Sequence, residues 1–178
     1  MYEHLKNLDI NAIRRQPKNQ NYLQLNEFRF VLHRTPKMVY FCQQVYFPGL
    51  TVTPLVQPAP FSTPIMRPSN KIQYENLDLT FLVNEDMENW KEVRYWMQGL
   101  TPEKDFERSL SEKERYSDAT LILMTNASNP FFYITFTNCF PVSLSGIQFS
   151  SSVEDIQPAK ASIRFEFSGY SIRHVKEF

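Results

Sequence analysis

"KIQYENLDLTFLVNEDMENWKEVRYWMQGL", residues 71–100, changes its period halfway, and that change decides the fold. As far as Val83 the apolar residues alternate: Ile72 and Tyr74 hold one parity, Leu77, Leu79, Phe81 and Val83 the other. Alternation at period two is a strand with one buried face, and a parity switch at Glu75–Asn76 is what a β-bulge produces. From Asn84 onward, Met87, Trp90, Val93 or Arg94, Met97 and Leu100 recur at three and four, the helical spacing. Asn84 is the candidate N-cap, with Glu85 and Asp86 in the first turn, where the helix dipole favours anions. Gly99 and Pro102 stop a helix of about residues 85–100. Met87, Trp90 and Met97 are expected to pack it against the core.

Outward from this stretch the chain is rich in strands. "FRFVLH" (28–33) alternates, "TPK" (35–37) reads as a turn, and "MVYFCQQVYF" (38–47) reads as the return strand of a hairpin. On the other side, "EKDFERSLSEKERYSD" (103–118) interleaves both charges as a solvated helix or loop. "ATLILMTN" (119–126), "FFYITFTNC" (131–139), "FPVSLSGIQFS" (140–150) and "ASIRFEFSGYSIR" (161–173) follow as strands. The expected fold is mainly β: an antiparallel sandwich or barrel of about seven strands, with one flanking helix between the third and fourth. Fifteen Phe and nine Tyr suit pleated surfaces. Residues 21–178 are expected to form a single domain. Residues 1–20 form an N-terminal arm, in which Leu5, Leu8, Ala12 and Ile13 make one apolar stripe of a short helix before Pro17. Arg14, Arg15 and Lys18 are its basic cluster.

Between the second and third strands lies "PGLTVTPLVQPAPFSTPIMRPSN" (48–70), which holds six of the chain's twelve prolines. Proline cannot donate to a ladder and breaks a helix interior, so the segment is neither a central strand nor a helix. It is also apolar, unlike a linker. A long, proline-stiffened, apolar, non-regular loop suits a preorganised projection onto another chain, because proline lowers the entropy lost on ordering.

Signals of chemistry are sparse. The four glycines form no phosphate-cradling loop. His4, His33 and His174 stand apart from any nucleophile motif. Cys42 and Cys139 lie far apart inside apolar runs and read as buried free thiols. Glu85, Asp86 and Glu88 form the densest acidic cluster, which a helix N-terminus explains. "FFYITF" lacks the interleaved Lys and Arg of a nucleic-acid platform. Lys plus Arg equal Asp plus Glu at 19 each, which excludes a general basic coat for nucleic acid. No enzyme activity, cofactor or metal is expected. The N-terminus lacks the apolar core of a signal peptide, and no run reaches membrane-spanning length.

Three pieces, in this order, resemble the tail tube family of contractile-tailed, T4-like bacteriophages. The first is a cysteine strand followed by Pro-Gly and a long excursion (Cys42, Pro48, Gly49). The second is a strand running into an acidic, Trp-bearing helix (Leu79, Phe81, Asp86, Trp90, Trp96). The third is a strand, a "CFP" corner and two closing strands (Phe136, Cys139, Phe140, Pro141, Ile147, Phe165, Phe167). The resemblance covers residues 21–173. It implies a β-sandwich with one flanking helix, assembled into hexameric rings that stack as a DNA-conducting tube in the virion. The proline loop would then reach the neighbouring ring. On this resemblance the partners are further copies of the chain, other tube, baseplate or sheath proteins, and phage DNA passing without sequence-specific binding. No membrane is implied. The proposed contacts are Phe47, Pro48, Leu50, Val52, Leu55, Phe61 and Ile65 on the loop, Arg14 and Arg15 on the arm, and the exposed faces of residues 161–173. The alternatives are a ring that terminates the tube at the head-proximal end, a soluble β-sandwich binding module, and a small hydrolase whose site is assembled from distant residues.

Overall fold

The computed structural model describes residues 21–58, 63–101, 110–150 and 157–175. Seven strands make one antiparallel sheet: β1 (Phe28–Leu32), β2 (Cys42–Tyr46), β7 (Leu77–Leu82), β8 (Ser117–Met124), β9 (Pro130–Leu144), β10 (Lys160–Glu166) and β11 (Gly169–His174). Its order is β1-β8-β9-β10-β7-β2, with β11 paired to β9. Four short strands form a separate ribbon: β3 (Leu50–Val52), β4 (Leu55–Gln57), β5 (Ile65–Arg67) and β6 (Ile72–Tyr74). Helices are α1 (Pro36–Tyr40), α2 (Glu88–Leu100) and α3 (Glu112–Arg115). The sheet does not close into a barrel, because β1, β2 and β11 each have a single partner among the described residues.

The sheet folds over along β9. The first part of this strand pairs with β8 and β11, and residues 140–144 pair with β10. β10 and β11 run consecutively along it, and Ser168 N donates to Thr137 O between them. The bend falls at Asn138, which takes a left-handed φ of 56° and whose N–H donates to Asp118 Oδ1 at 3.0 Å. Asn tolerates that conformation better than most residues because its short polar side chain bonds locally. Pro141 sits where the register against β10 shifts, a position that does not need its missing N–H. Thus 131–139 and 140–150, expected as two strands, are a single strand to Leu144, while 161–173 is two strands parted at Phe167–Ser168.

One core fills the space between the two halves of the sheet. Phe30, Leu32, Ala119, Leu121, Ile134 and Phe136 come from one half, and Leu77, Leu79, Phe81, Ala161, Ile163 and Phe165 from the other. The alternation read from 77–83 is the observed burial pattern of β7. The parity switch at Glu75–Asn76 is where the chain passes from the ribbon strand β6 into β7.

Two local expectations fail for identifiable reasons. Residues 28–47 do not form a hairpin, since β1 pairs with β8 and β2 with β7. Pro36 at the start of α1 presets a helical φ, so 36–40 make one helical turn that carries the chain between the halves of the sheet, with Met38 fully buried. The main helix begins at Glu88 rather than near 85. Residues 84–87 are used in a turn, closed by Met87 N donating to Asn84 O at 2.9 Å, and Met87 is a left-handed N-cap with φ 52°. Asn84 instead exchanges hydrogen bonds with Asn89, whose Nδ2 donates to Leu82 O at 2.7 Å. That leaves Asn89, Val93, Trp96 and Gly99 as the buried face of α2, with Trp90 and Met97 partly buried beside the core.

Gly99 is needed for proximity. A Cβ there would meet Leu110 Cγ at 2.7 Å. Alanine ordinarily favours a helix interior by about 1 kcal/mol over glycine. Here the overpacking penalty of about 1–3 kcal/mol dominates. Gly99→Ala is therefore expected to lower stability in urea unfolding, and a gain would show that the segment around Leu110 moves aside without cost.

Candidate assembly interface

The proline segment is a two-stranded antiparallel ribbon, which corrects the expectation of a non-regular loop. β3 pairs with β6 (Leu50 opposite Tyr74, Val52 opposite Ile72), and β4 pairs with β5 (Leu55 opposite Arg67, Val56 opposite Met66). Pro48, Pro54, Pro58, Pro64 and Pro68 all stand outside the paired residues, so no ladder bond is lost to them. Proline punctuates the ribbon rather than abolishing it.

The ribbon's root is fixed to the body. Glu75 N donates to Gly49 O at 3.1 Å, and Glu75 Oε2 accepts from Gly49 N at 3.2 Å and from the Tyr46 hydroxyl at 3.4 Å. Beside it, Phe47, Tyr74, Phe136, Phe167 and Tyr170 form one aromatic cluster. Phe47 lies 5.3 Å from Tyr170, Tyr74 5.6 Å from Phe167, and Phe136 5.1 Å from Phe167, measured between centroids. The edge-on and tilted geometries are those aromatic rings prefer.

Beyond the root the ribbon is apolar and uncovered. Leu50, Val52, Leu55, Val56, Ile65, Met66, Ile72 and Tyr74 are all exposed, from 40% for Tyr74 to 65% for Met66. Residues opposite each other on a ladder share a face. Leu50, Val52, Ile72 and Tyr74 therefore form one apolar face near the root, with Thr51 and Gln73 on the reverse. Two strands alone are marginal in water, and among the described residues both ribbon edges are unpaired. An exposed apolar patch of this kind marks an interaction surface.

Among the residues expected to make contacts, Leu50, Val52, Leu55 and Ile65 lie exposed on the ribbon, and Phe47 is partly covered at its root. Pro48 is fully buried beneath it. Phe61, Arg14 and Arg15 fall outside the described residues. Val56, Met66, Ile72 and Tyr74 belong to the same surface. For Ile72 and Tyr74 the alternation about Gln73 was the available signal; Val56 and Met66, beside apolar Leu55 and Ile65, carry none beyond their apolar character.

The remaining titratable groups support structure. Lys37 Nζ lies 2.7 Å from Glu88 Oε2, and this hydrogen bond and charge hold the Glu88 carboxyl below its usual range. Burial raises Glu92, whose Oε2 accepts from Met38 N. On the outer face of the sheet, Arg164 makes a two-pronged bond to Asp78 at 2.8 and 3.2 Å. Among the described residues there is no cluster of metal-ligating side chains and no helix long and apolar enough to cross a membrane.

Both cysteines are free thiols; Cys139 is buried as expected, whereas Cys42, on the edge strand β2, is only half-buried. Burial pushes Cys42 up to about 11 and Cys139 up to about 12, because the thiolate is poorly solvated there. The unfolded chain ionises its thiols near 8.5. Stability from these groups is therefore complete below that pH and falls as pH rises towards the folded values. At neutral pH a thiol-reactive disulfide reagent is expected to label buried Cys139 only after denaturant is added. Rapid labelling of Cys139 in the native chain would contradict this placement.

A family model described as "Phage tail tube protein" matches residues 8–173. No curated protein matches the chain. Among solved structures, the tube-terminating cap of the anti-feeding prophage superposes with a TM-score of 0.64 at 14% identity, covering 91% of this chain and 97% of that one. The sheath/tube terminator of an extracellular contractile injection system, PVC, in its extended state gives 0.62 at 16% identity, covering 87% and 99%. The sheath–tube complex of that system gives 0.59 at 14%, covering 88% and 94%. At these identities the likeness is one of fold.

Proposed function

The chain belongs to the phage tail tube protein family, and from that premise we propose that it is a ring-forming subunit of a phage tail tube, or of a tube-like ring at its baseplate end. It acts by assembly and not by catalysis. Six copies close into a ring in the virion, the rings surround a channel for DNA, and neighbouring tube, baseplate or sheath proteins complete the contacts. The observation that carries this reading is the ribbon: eight exposed apolar side chains on a projection tied to the body through Glu75 and the aromatic cluster. The single-partner strands β1, β2 and β11 offer edges that a ring would cover. Equal numbers of acidic and basic residues suit a channel wall that lets phosphates slide past without holding them.

A second reading places the subunit in a ring that ends the tube. It is favoured by the two terminating-ring structures, whose TM-scores of 0.64 and 0.62 exceed the 0.59 of the sheath–tube complex. Negative-stain microscopy across a concentration series, paired with mass in solution, separates the readings. Open tubes identify a stacking subunit, and single closed rings that refuse to stack identify an end ring. A monomer at every concentration, unaffected by changes to the ribbon, rejects self-assembly through this surface.

A further inference from the structure

The inner face of the sheet carries a second apolar surface that the ribbon does not use. Phe28, Leu121, Leu123, Phe132, Ile134 and Ile172 line a groove of about 820 Å³, walled on the far side by Val45 and Phe47. β2 is the last strand of its half, and at this end Phe28 and Leu123 are only partly buried while Ile172 is exposed. Ile172 is 53% exposed although it lies on the same side of its strand as buried Ile134, the residue opposite it. The sheet thus has core-type side chains on its inward face with an incomplete layer over them.

The chain itself enters at this place. Residues 21–25 form part of the groove's wall, yet Tyr22 and Leu25 are 91% and 92% exposed and fill little of it. The twenty residues preceding them lie outside the described part. Leu5, Leu8, Ala12 and Ile13 fall at helical spacing on one face of that segment. Residues 14–20 separate the stripe from Asn21, and an extended chain of seven residues spans at most about 25 Å. The stripe is therefore tethered within reach of the groove. A short tether gives an effective concentration in the millimolar range, far above that of a second copy free in solution. The family match begins at residue 8 and so takes in most of this segment.

We propose that the groove is the seat of the chain's own residues 5–13, which dock with Leu5, Leu8, Ala12 and Ile13 inward and complete this layer of the core. The docking is intramolecular, so it holds whether or not the chain forms rings.

The test is disulfide trapping in the full-length chain, with Leu8→Cys paired with Ile172→Cys. Arg173→Cys is the matched control, because the next residue of a strand points to the opposite face. Oxidation is expected to consume both introduced thiols in the Leu8/Ile172 pair and to give a faster-migrating monomer on non-reducing gels, while the Leu8/Arg173 pair stays unlinked. A covalent dimer from the Leu8/Ile172 pair would overturn the intramolecular seat and give the groove to a second copy's arm. Equal linking in both pairs, or none in either, would also overturn it. A second readout needs no cysteine. The full chain is expected to bind a hydrophobic fluorescent dye only at the level its exposed ribbon sets, and Leu8→Asp to raise the signal clearly above that level with the far-ultraviolet circular dichroism unchanged. Equal dye binding by both chains would contradict the proposal.

Discussion

Replacing Val52 and Ile72 together by threonine is expected to abolish assembly while leaving the subunit folded. The two residues face each other across the ribbon, both about half exposed, on its apolar face. Threonine keeps the branched shape that strands favour, so the ladder should persist. What changes is the surface offered to a partner. Burying a hydroxyl without a hydrogen bond costs about 1–3 kcal/mol. Two of them weaken each contact by about one to four decades, since about 1.4 kcal/mol is tenfold. Because a ring or tube repeats the contact at every subunit, the loss should appear in microscopy as missing particles and in solution as a shift to lower mass. Stability in urea should stay within about 0.5 kcal/mol, as is usual for exposed positions. Normal rings or tubes from the double variant would remove the ribbon from the assembly contacts.

Phe136→Ala is expected to be the most damaging single truncation of the body. Phe136 is fully buried, and its ring lies 5.1 to 6.3 Å from those of Phe167, Tyr170 and Phe47. Phe167 and Tyr170 in turn carry Tyr74 of the ribbon. Truncating a buried Phe costs about 3–5 kcal/mol, from lost transfer energy and the cavity left behind. At this chain size each kcal/mol moves the melting midpoint by about 2–4 °C. The midpoint should therefore fall by roughly 6–20 °C, with Phe136→Leu falling by less. The position also predicts a second effect. With its floor removed, the ribbon's root should loosen, and amide exchange at Ile72 and Tyr74 should quicken beyond what the global loss explains. A change below about 1 kcal/mol would mean that the aromatic cluster is not the ribbon's foundation.

The layer architecture was legible because burial imposes a period. Leu77, Leu79 and Phe81, and likewise Ile163 and Phe165, announce their inward face by alternation alone. What sequence pattern could not supply is pairing. β1 and β2 look like a hairpin because they are neighbours in the chain, but the turn of helix at Pro36 sends them to opposite halves. Nor does alternation show that β9 continues through Asn138, since a bend made by one left-handed residue leaves no periodic trace. The ribbon was hidden by its brevity. Its strands are three residues long, below the length at which a period can be counted, and the prolines between them look like a prohibition. The helix was placed correctly in kind and shifted at its start, because Asn84 had two possible uses and Asn89 claimed it. Of the residues expected to make contacts, the apolar character of those on the ribbon followed from composition. The burial of Pro48 did not, since that depends on how the ribbon leaves the sheet.

The bent pair formed by β9 with β10 and β11 also governs how the molecule comes apart. Every other strand of the main sheet is bonded to these strands directly, as β7 and β8 are, or through one neighbour, as β1 and β2 are. Neither half can melt and leave the other intact, because each would take half of the shared pair with it. The chain should therefore unfold in one cooperative step, as small single domains do. A subunit that meets force or solvent at one edge would then yield as a whole or not at all, with no half-open form to expose unpaired strands to its neighbours.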